Sequence, residues 1–446
     1  MAPIFAQLTK NVAKKINSEG ELLPLLSMNN SKRFRPLCLV RKKRKGTLFF
    51  GARFRPTNLS LLDVLDSDLP APELKREDKF GFQDRVDGRL KGKVDLRDSL
   101  LSVQVSGEIK RVQNYSLEVQ IVLISPEDLD KMQKERKLKK NEPEELKELR
   151  RLGENLFVVT KVVETLEEAN LSSERQAEGG CLLKLLSIHM KALHNHQEVV
   201  NIGKGCTLAF GLGHLIFRDK WKILSMPSKE KTFLSKGLEE DPFVKDLAMA
   251  KDAKGFEGLR QEVRQEKQYL IYLDRQLKET ILQAVQDLLG QREEMQKVED
   301  ALEDAMDGKA TQKLEGPGNI LLTILKEDSD HVVPELTGTV LYLLGALLVL
   351  SDTQQHLLKL ALEKKLLPQQ LKLVESILEQ TFPMSQEGHF FLTPGPEDEE
   401  RSFTTALLEQ YGLELSGPNS QFLWKPDALA SLSALYGALS LLDRRN

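Results

Sequence analysis

The chain predicts an α+β N-terminal domain built on a twisted antiparallel sheet, followed by an all-α helical domain. Three patterns in its 446 residues carry this reading. Hydrophobic residues alternate at period two only before about residue 221, Leu and Ala recur at i, i+3, i+4 after about 256, and the sign of the charge reverses between the two regions. The domains are accordingly read as 1–230 and 256–446, joined by a polar linker at 231–255 that is poor in aromatic residues.

The first domain opens with an amphipathic helix over 3–17. Ile4, Phe5, Leu8, Val12 and Ile16 share one face at 3.6-residue spacing, with Lys10 and Lys14 opposite and Lys15 intruding near the apolar side. From about 36 to 65 the text turns β-like. Leu101, Val103 and Val105 then alternate with Ser102, Gln104 and Ser106, and Leu117, Val119, Ile121 and Leu123 alternate across Glu118 and Gln120. A second strand-rich stretch starts at Leu156-Phe-Val-Val-Thr-Lys-Val-Val and resumes at Cys181. Gly81–Asp98 and Glu164–Gly180 read as polar segments between these runs. A charged helix over roughly 127–151 is interrupted by Pro143. Such alternation builds a half-exposed sheet, and it equally suits a membrane β-barrel with one face to lipid and one to water.

In the second domain the spacing predicts helices over 256–306, 335–350, 352–366, 368–380, 402–412 and 426–443, with Pro368 and Pro426 in first-turn positions. Val340–Leu350 is the most apolar stretch. At 11 residues it is about half of what a membrane-spanning helix needs, so it reads as a buried core helix.

Overall charge hides the asymmetry: 64 basic against 67 acidic residues leaves −3. Residues 1–235 hold 42 basic and 31 acidic residues, or +11, and the remainder carries −14. Most of the excess lies in residues 1–60, with 13 basic and 2 acidic residues. An acidic half of this kind can mask a basic one. The sharpest local feature is Arg41-Lys-Lys-Arg-Lys45 followed by Leu48-Phe-Phe50. An anionic membrane attracts the cations, at about 1 kcal/mol each, and accepts the apolar tip. The alternative is a solvated charge run on a strand edge.

Nothing in the sequence assembles a catalytic site, so no enzyme, cofactor or metal is expected. Gly203-Lys-Gly205 and Gly211-Leu-Gly213 lack the full dinucleotide fingerprint, and no phosphate loop or Gly-x-Ser-x-Gly elbow occurs. His189, His194 and His196 lack thiolate or carboxylate partners at ligand spacing and read as a polar loop. Cys38, Cys181 and Cys206 form neither a disulfide framework nor a zinc pattern, which points to a reducing cytoplasm. The first residues lack a secretory signal pattern.

Several stretches, in order across both domains, resemble the gasdermin family. They are Phe34-Arg-Pro-Leu-Cys-Leu-Val-Arg-Lys-Lys-Arg-Lys-Gly-Thr-Leu-Phe-Phe-Gly-Ala-Arg-Phe54, Gly153-Glu-Asn-Leu-Phe-Val-Val-Thr160, Lys204-Gly-Cys-Thr-Leu-Ala-Phe210, Val340-Leu-Tyr-Leu-Leu-Gly-Ala-Leu347 and Leu371-Lys-Leu-Val-Glu-Ser376. The resemblance implies a cytoplasmic monomer whose acidic helical domain silences a basic pore-forming domain until a protease cuts the linker. The freed domain would bind acidic phospholipids (phosphoinositides, phosphatidylserine, cardiolipin) at the plasma membrane. It would then oligomerise, refold segments near 80–124 and 156–200 into β-hairpins of a barrel, and kill the cell by pyroptosis.

By position, the resemblance implies lipid binding by Lys10, Lys42, Lys43 and Arg53, with Lys14, Arg41 and Arg44 as additions. It implies a membrane-dipping tip at Leu48, Phe49 and Phe50, here without the tryptophan common in the family and so with weaker interfacial anchoring. Autoinhibitory contacts fall on Leu259, Tyr342 and Ala346, each of which is alternatively an ordinary core residue. For the cut, Phe243-Val-Lys-Asp246 suits an inflammatory caspase. Asp252 is the rival, and Asp241 is blocked by Pro242. Other proteases open some relatives that lack a caspase motif. Two further readings compete with a pore former: a peripheral adaptor that docks without perforating, and, ranked last, nucleic-acid binding. Few aromatics interleave with the cations, so no nucleic-acid partner is expected.

Overall fold

The computed structural model describes residues 3–16, 21–43, 53–66, 70–98, 101–178, 197–218, 220–225, 232, 255–326, 332–391, 411, 413–415 and 421–444. Its N-terminal half is a ten-stranded antiparallel sheet in which β1 (Leu22–Pro24), β9 (Thr207–Phe217), β6 (Leu156–Thr165), β5 (Leu101–Leu123), β7 (Ala169–Glu178) and β8 (Gln197–Ile202) lie side by side. β10 (Trp221–Ser225) pairs with β9, β2 (Cys38–Lys42) with β6 and with β3 (Phe54–Ser60), and β4 (Lys75–Asp98) with β5.

β6 and β9 are buried almost without interruption because both faces of the sheet centre are covered, and such strands read as continuous apolar runs. Helix α1 (Pro3–Ile16) lies on one face. Its Phe5, Leu8 and Val12 pack with Val119, Val163 and Leu208, each contributing about 1.5–3 kcal/mol of apolar burial. The intruding Lys15 keeps its charge on that side by resting its ammonium over the Phe82 ring at 4.8 Å. The other face carries α2 (Leu61–Val64), α3 (Pro126–Glu135) and α4 (Glu144–Arg151). Leu61, Met132, Leu146 and Leu149 there meet Leu39, Leu156, Leu215 and Trp221. The charged helix expected near 127–151 is thus two helices, with Pro143 as the N-cap of the second.

One expectation is corrected outright. Gly81–Asp98 is not a polar connection but most of β4, which pairs with β5 down to Asp98↔Leu101. Register sets Leu90 opposite Ile109, Val94 opposite Val105 and Leu96 opposite Val103, so one row of residues alternates cleanly although its neighbours are charged. Residues 169–178, read as polar connection, are likewise strand β7. At 24 residues β4 extends about 80 Å.

The C-terminal half is mostly helical. α5 (Phe256–Ile271), α6 (Arg275–Asp287) and α7 (Arg292–Met306) replace the single helix expected over 256–306. Asp274 caps α6 by accepting from the backbone N–H groups of Gln276 and Leu277, and Gly290, at φ +85°, makes the turn before α7. There follow α8 (Gly316–Leu325), which the sequence reading omitted, α9 (Pro334–Val349), α10 (Asp352–Glu363), α11 (Leu367–Thr381) and α12 (Leu429–Leu442). The all-α expectation also misses a small sheet, β11 (Gly388–Phe391), β13 (Gln421–Trp424) and β12 (Glu414–Leu415), because its strands are only two to four residues long. Most of the expected helix at 402–412 lies outside the described residues. α9 is buried on every side, from Leu336 to Leu348, at the centre of one apolar core. Among the described residues no single helix is long and apolar enough to cross a membrane.

Thr232, inside the linker as read from sequence, is completely buried against the first domain. Its hydroxyl accepts from Leu156 N (2.8 Å) and lies 3.2 Å from His214 Nε2, while its N–H donates to Asn155 Oδ1 (3.0 Å) and its carbonyl accepts from Phe217 N (2.7 Å). Thr232→Val removes the hydroxyl and leaves the Leu156 N–H unmet. The expected loss is about 1–3 kcal/mol in chemical denaturation of the intact chain. An unchanged midpoint would show that the anchor contributes nothing.

Candidate functional site

The cationic cluster takes its geometry from the β2–β3 ribbon. Arg41 pairs with Arg55 and Lys42 with Phe54, and the Lys43 N–H donates to Arg53 O at 2.9 Å. Period two then places Arg41, Lys43, Arg53 and Arg55 on one face. Lys42 falls on the other, its ammonium 5.7 Å from the centre of the Phe157 ring. Like charges set directly opposite on a ribbon repel. Here they are met by a second element.

That element is α7, from the other domain. Glu299, Asp300, Glu303, Asp304 and Asp307 recur at one-turn spacing along it and just beyond its end, making one acidic stripe. Arg41 Nη2 donates to Asp307 Oδ2 at 2.6 Å, and Nη1 lies 3.4 Å from both Glu303 and Glu154, the latter in its own domain. Lys43 pairs with Glu299 and, at 3.1 Å, with Asp300. Arg53 pairs with Glu299, and Arg55 Nη2 donates to Asp304 Oδ1 at 2.5 Å. A hydrogen bond from Ser27 Oγ to Gln296 Oε1 (3.0 Å) extends the seam. Arg53 also presses against α9: a Cβ on Gly345 would stand 2.8 Å from its Nη2, so the missing side chain allows the approach.

The seam is dry. The Arg41 side chain is 3% exposed, and those of Glu299, Glu303 and Asp307 are 1–2% exposed. Burial by itself would raise the Glu299 pKa. The Arg53 and Lys43 charges outweigh it and hold the carboxyl below its ordinary value. Lys10, exposed on α1, is nevertheless partly desolvated, and that effect, with the like charge of Arg292 behind it, lowers its ammonium pKa.

The sequence-derived residues divide. Arg41, Lys43 and Arg53 come together in the seam, while Lys42 lies on the opposite face of the ribbon, and Lys10 and Lys14 are exposed on α1. Leu259, Tyr342 and Ala346 are buried in the apolar core of the helical domain, and burial, then the Glu262 and Glu266 charges, push the Tyr342 phenol well above its usual pKa. Arg44, Leu48, Phe49, Phe50, Asp246, Asp252, His189, His194 and His196 lie outside the described residues. Sequence reasoning missed Arg55 and the whole acidic stripe. Its signal was present, since Glu299, Glu303 and Asp307 recur every four residues with no Lys or Arg between them.

A basic sheet domain whose cation cluster is neutralised by one helix of an acidic helical domain defines a two-part protein in which one half covers a charged surface of the other. Comparison with known proteins gives the class its family. Residues 4–235 match the model described as "Gasdermin pore forming domain", and residues 255–422 match "Gasdermin PUB domain". The chain is similar to Gasdermin-A of Homo sapiens and of Mus musculus, each 38% identical over 99% of this chain and 98% of the relative. It is also similar to Gasdermin-D of Mus musculus, 32% identical over 99% of both. Among solved structures it is similar to a cryo-EM structure of the Gasdermin A3 membrane pore, 33% identical, covering 52% of this chain and 99% of that one with a TM-score of 0.41. The chain belongs to the gasdermin family and carries its pore-forming domain.

Two outcomes follow for the seam. Glu299→Ala strands Lys43 and Arg53 without their shared carboxylate and is expected to cost about 3 kcal/mol in denaturation of the intact chain; a loss below a few tenths would show the pairing to be idle. The pH dependence has a definite sign. The folded-state pKa of Glu299 is depressed, so its stabilisation is complete above the ordinary glutamate pKa of about 4.3 and is lost as pH falls through the lowered value. Stability measured from pH 5 to 8 should therefore show no pH dependence from this group, whose contribution is then full, and acid titration below 4 should show a loss that Glu299→Ala removes.

Proposed function

We propose that this chain is a pore former held shut by the α7 seam. Cutting the linker after Asp246 by an inflammatory caspase, with Asp252 as the second candidate, lets the acidic domain leave. Lys10, Lys14, Arg41, Lys42, Lys43, Arg44 and Arg53 then take the phosphates and carboxylates of acidic lipids (phosphoinositides, phosphatidylserine or cardiolipin). Leu48, Phe49 and Phe50 enter the leaflet. Copies assemble through their long hairpins into a β-barrel, and the cell dies by pyroptosis. The closed protein is a cytoplasmic monomer, and the open one is an oligomer at the plasma membrane.

The observation that carries this reading is that carboxylates of one domain occupy the cations of the other. Lys43, Arg53 and Arg55 have acidic partners on α7. Once that domain is gone, those cations stand together on one ribbon face, and an anionic leaflet supplies the missing counter-charge. Leu259, Tyr342 and Ala346 have a place in this scheme. By filling the core behind α5 and α9 they hold α9, with Gly345, where Arg53 meets it. An Asp at position 342 would bury an unpaired charge there and loosen the closed state.

The test uses the intact chain, an inflammatory caspase and phosphatidylserine vesicles loaded with a self-quenched dye. Cleavage should release dye, and the helical fragment should begin at Leu247 on N-terminal sequencing. Asp246→Ala should abolish both cleavage and release. Vesicle binding without leakage would instead favour an adaptor, and a cut elsewhere would overturn the site.

A further inference from the structure

The first domain does not end with its last strand. β10 runs antiparallel to β9, from Trp221 opposite Phe217 to Ser225 opposite Gly213, and so carries the chain away from the end of β9. At Thr232 the chain is back there, because the Phe217 N–H donates to the Thr232 carbonyl at 2.7 Å. Residues at the start of β6 meet it as well. The Leu156 N–H donates to the Thr232 hydroxyl at 2.8 Å, the Leu156 carbonyl lies 3.4 Å from the same oxygen, and the Thr232 N–H donates to Asn155 Oδ1 at 3.0 Å. His214 Nε2 is 3.2 Å from that hydroxyl, and its ring stacks on Phe157 with centroids 4.8 Å apart.

One residue therefore plugs the ends of the two central strands, and both it and His214 are buried. A hydroxyl donates and accepts at once, so threonine meets a strand N–H and a neighbouring acceptor together, which a valine of the same shape does not. Without Thr232 the N–H groups of Leu156 and Phe217 and the Asn155 amide oxygen lose their partners together. They sit at the ends of strands that are otherwise buried almost without interruption, where an unmet polar group is costly. The covalent path out of this domain accordingly begins after Thr232, not at Ser225.

We propose that Thr232 is a latch the pore-forming domain must keep, so that the position of a linker cut decides whether it activates or destroys. This rests on the reading of a pore former opened by proteolysis and adds to it a rule for which cuts count. Hydrolysis of a peptide bond between Thr232 and the start of α5 at Phe256 leaves the latch on the sheet domain and sets a competent fragment free. Hydrolysis between Ser225 and Thr232 leaves the latch on the helical fragment. When that fragment departs it strips Thr232 from its site, and the ends of β6 and β9 open. The rule is indifferent to the side chain a protease prefers, and cuts after Asp246 or Asp252 both satisfy it.

Two full-length chains test the rule, each carrying one inserted site for a sequence-specific viral protease, between Ser228 and Lys229 or between Gly237 and Leu238. Both are cut to completion beside phosphatidylserine vesicles loaded with self-quenched dye. The downstream cut should release dye rapidly, and the upstream cut about tenfold more slowly. Equal release from the two overturns the latch. Substitution at Thr232 in the downstream chain isolates the hydroxyl: Thr232→Val should slow release after the cut by about fivefold, and Thr232→Ser, which keeps the hydroxyl, should restore it. Release as fast from Thr232→Val as from Thr232→Ser would overturn the part given to that group. A second readout does not need a pore. Digestion of the cut chains by trypsin should remove the sheet fragment ending at Ser228 about tenfold faster than the one ending at Gly237, and equal survival would again overturn the latch. Should neither cut release dye while the two fragments still differ in survival, the latch stands and the pore reading falls.

Discussion

Four cations on one face of a two-stranded ribbon cannot be buried without counter-charges, and the rest of this molecule is arranged around that constraint. Arg41 and Arg55 are direct cross-strand neighbours, with Lys43 and Arg53 one step further along. Left in a dry interface they would repel one another and lose their hydration. Helix α7 meets the need with a stripe of carboxylates at its own one-turn spacing, so a strand period of two is matched to a helix period of 3.6 over about two turns. Glu299 serves two cations at once, and Arg41 serves carboxylates from both domains. This sharing makes the seam cooperative, because removing one member leaves others buried and unpaired.

Everything behind the seam serves to hold it rigid. The sheet centre, β6 and β9, is packed on both faces, and β2 hangs on β6 through Leu39↔Val158 and Arg41↔Leu156. The ribbon is therefore anchored at one edge. On the other side α7 is fixed at its start by Arg292, which donates to Leu348 O at 2.6 Å and pairs with Asp352 at 3.1 Å, tying it to the C-terminal end of α9. α9 itself is packed all round. The ribbon and the helix thus present matched charge arrays to each other. An interface of this kind draws its specificity from charge and spacing.

Much of this was legible in the sequence. The domain order, the α1 face and the buried α9 follow from periodicity, which is a local property of the chain. The basic cluster and the charge reversal follow from counting. Gly81–Asp98 was misread because its apolar residues sit among charges, and a strand with one polar face looks like a loop until its partner is known. α7 was recognised as helical only within a longer run, and the break at Gly290 depends on a backbone conformation that composition does not announce. The short strands β11–β13 fall below the length at which alternation can be recognised.

By itself the sequence determined that a basic β-rich half and an acidic helical half coexist in one chain, with the family that such motifs mark. It determined this because composition and period are carried by neighbours along the chain. Only the tertiary structure decided which carboxylate meets which cation, that Arg55 belongs with Lys43 and Arg53, and that Lys42 does not. Those pairings join residues about 250 positions apart. Their partners are chosen by how a ribbon and a helix are docked, and no local pattern encodes that.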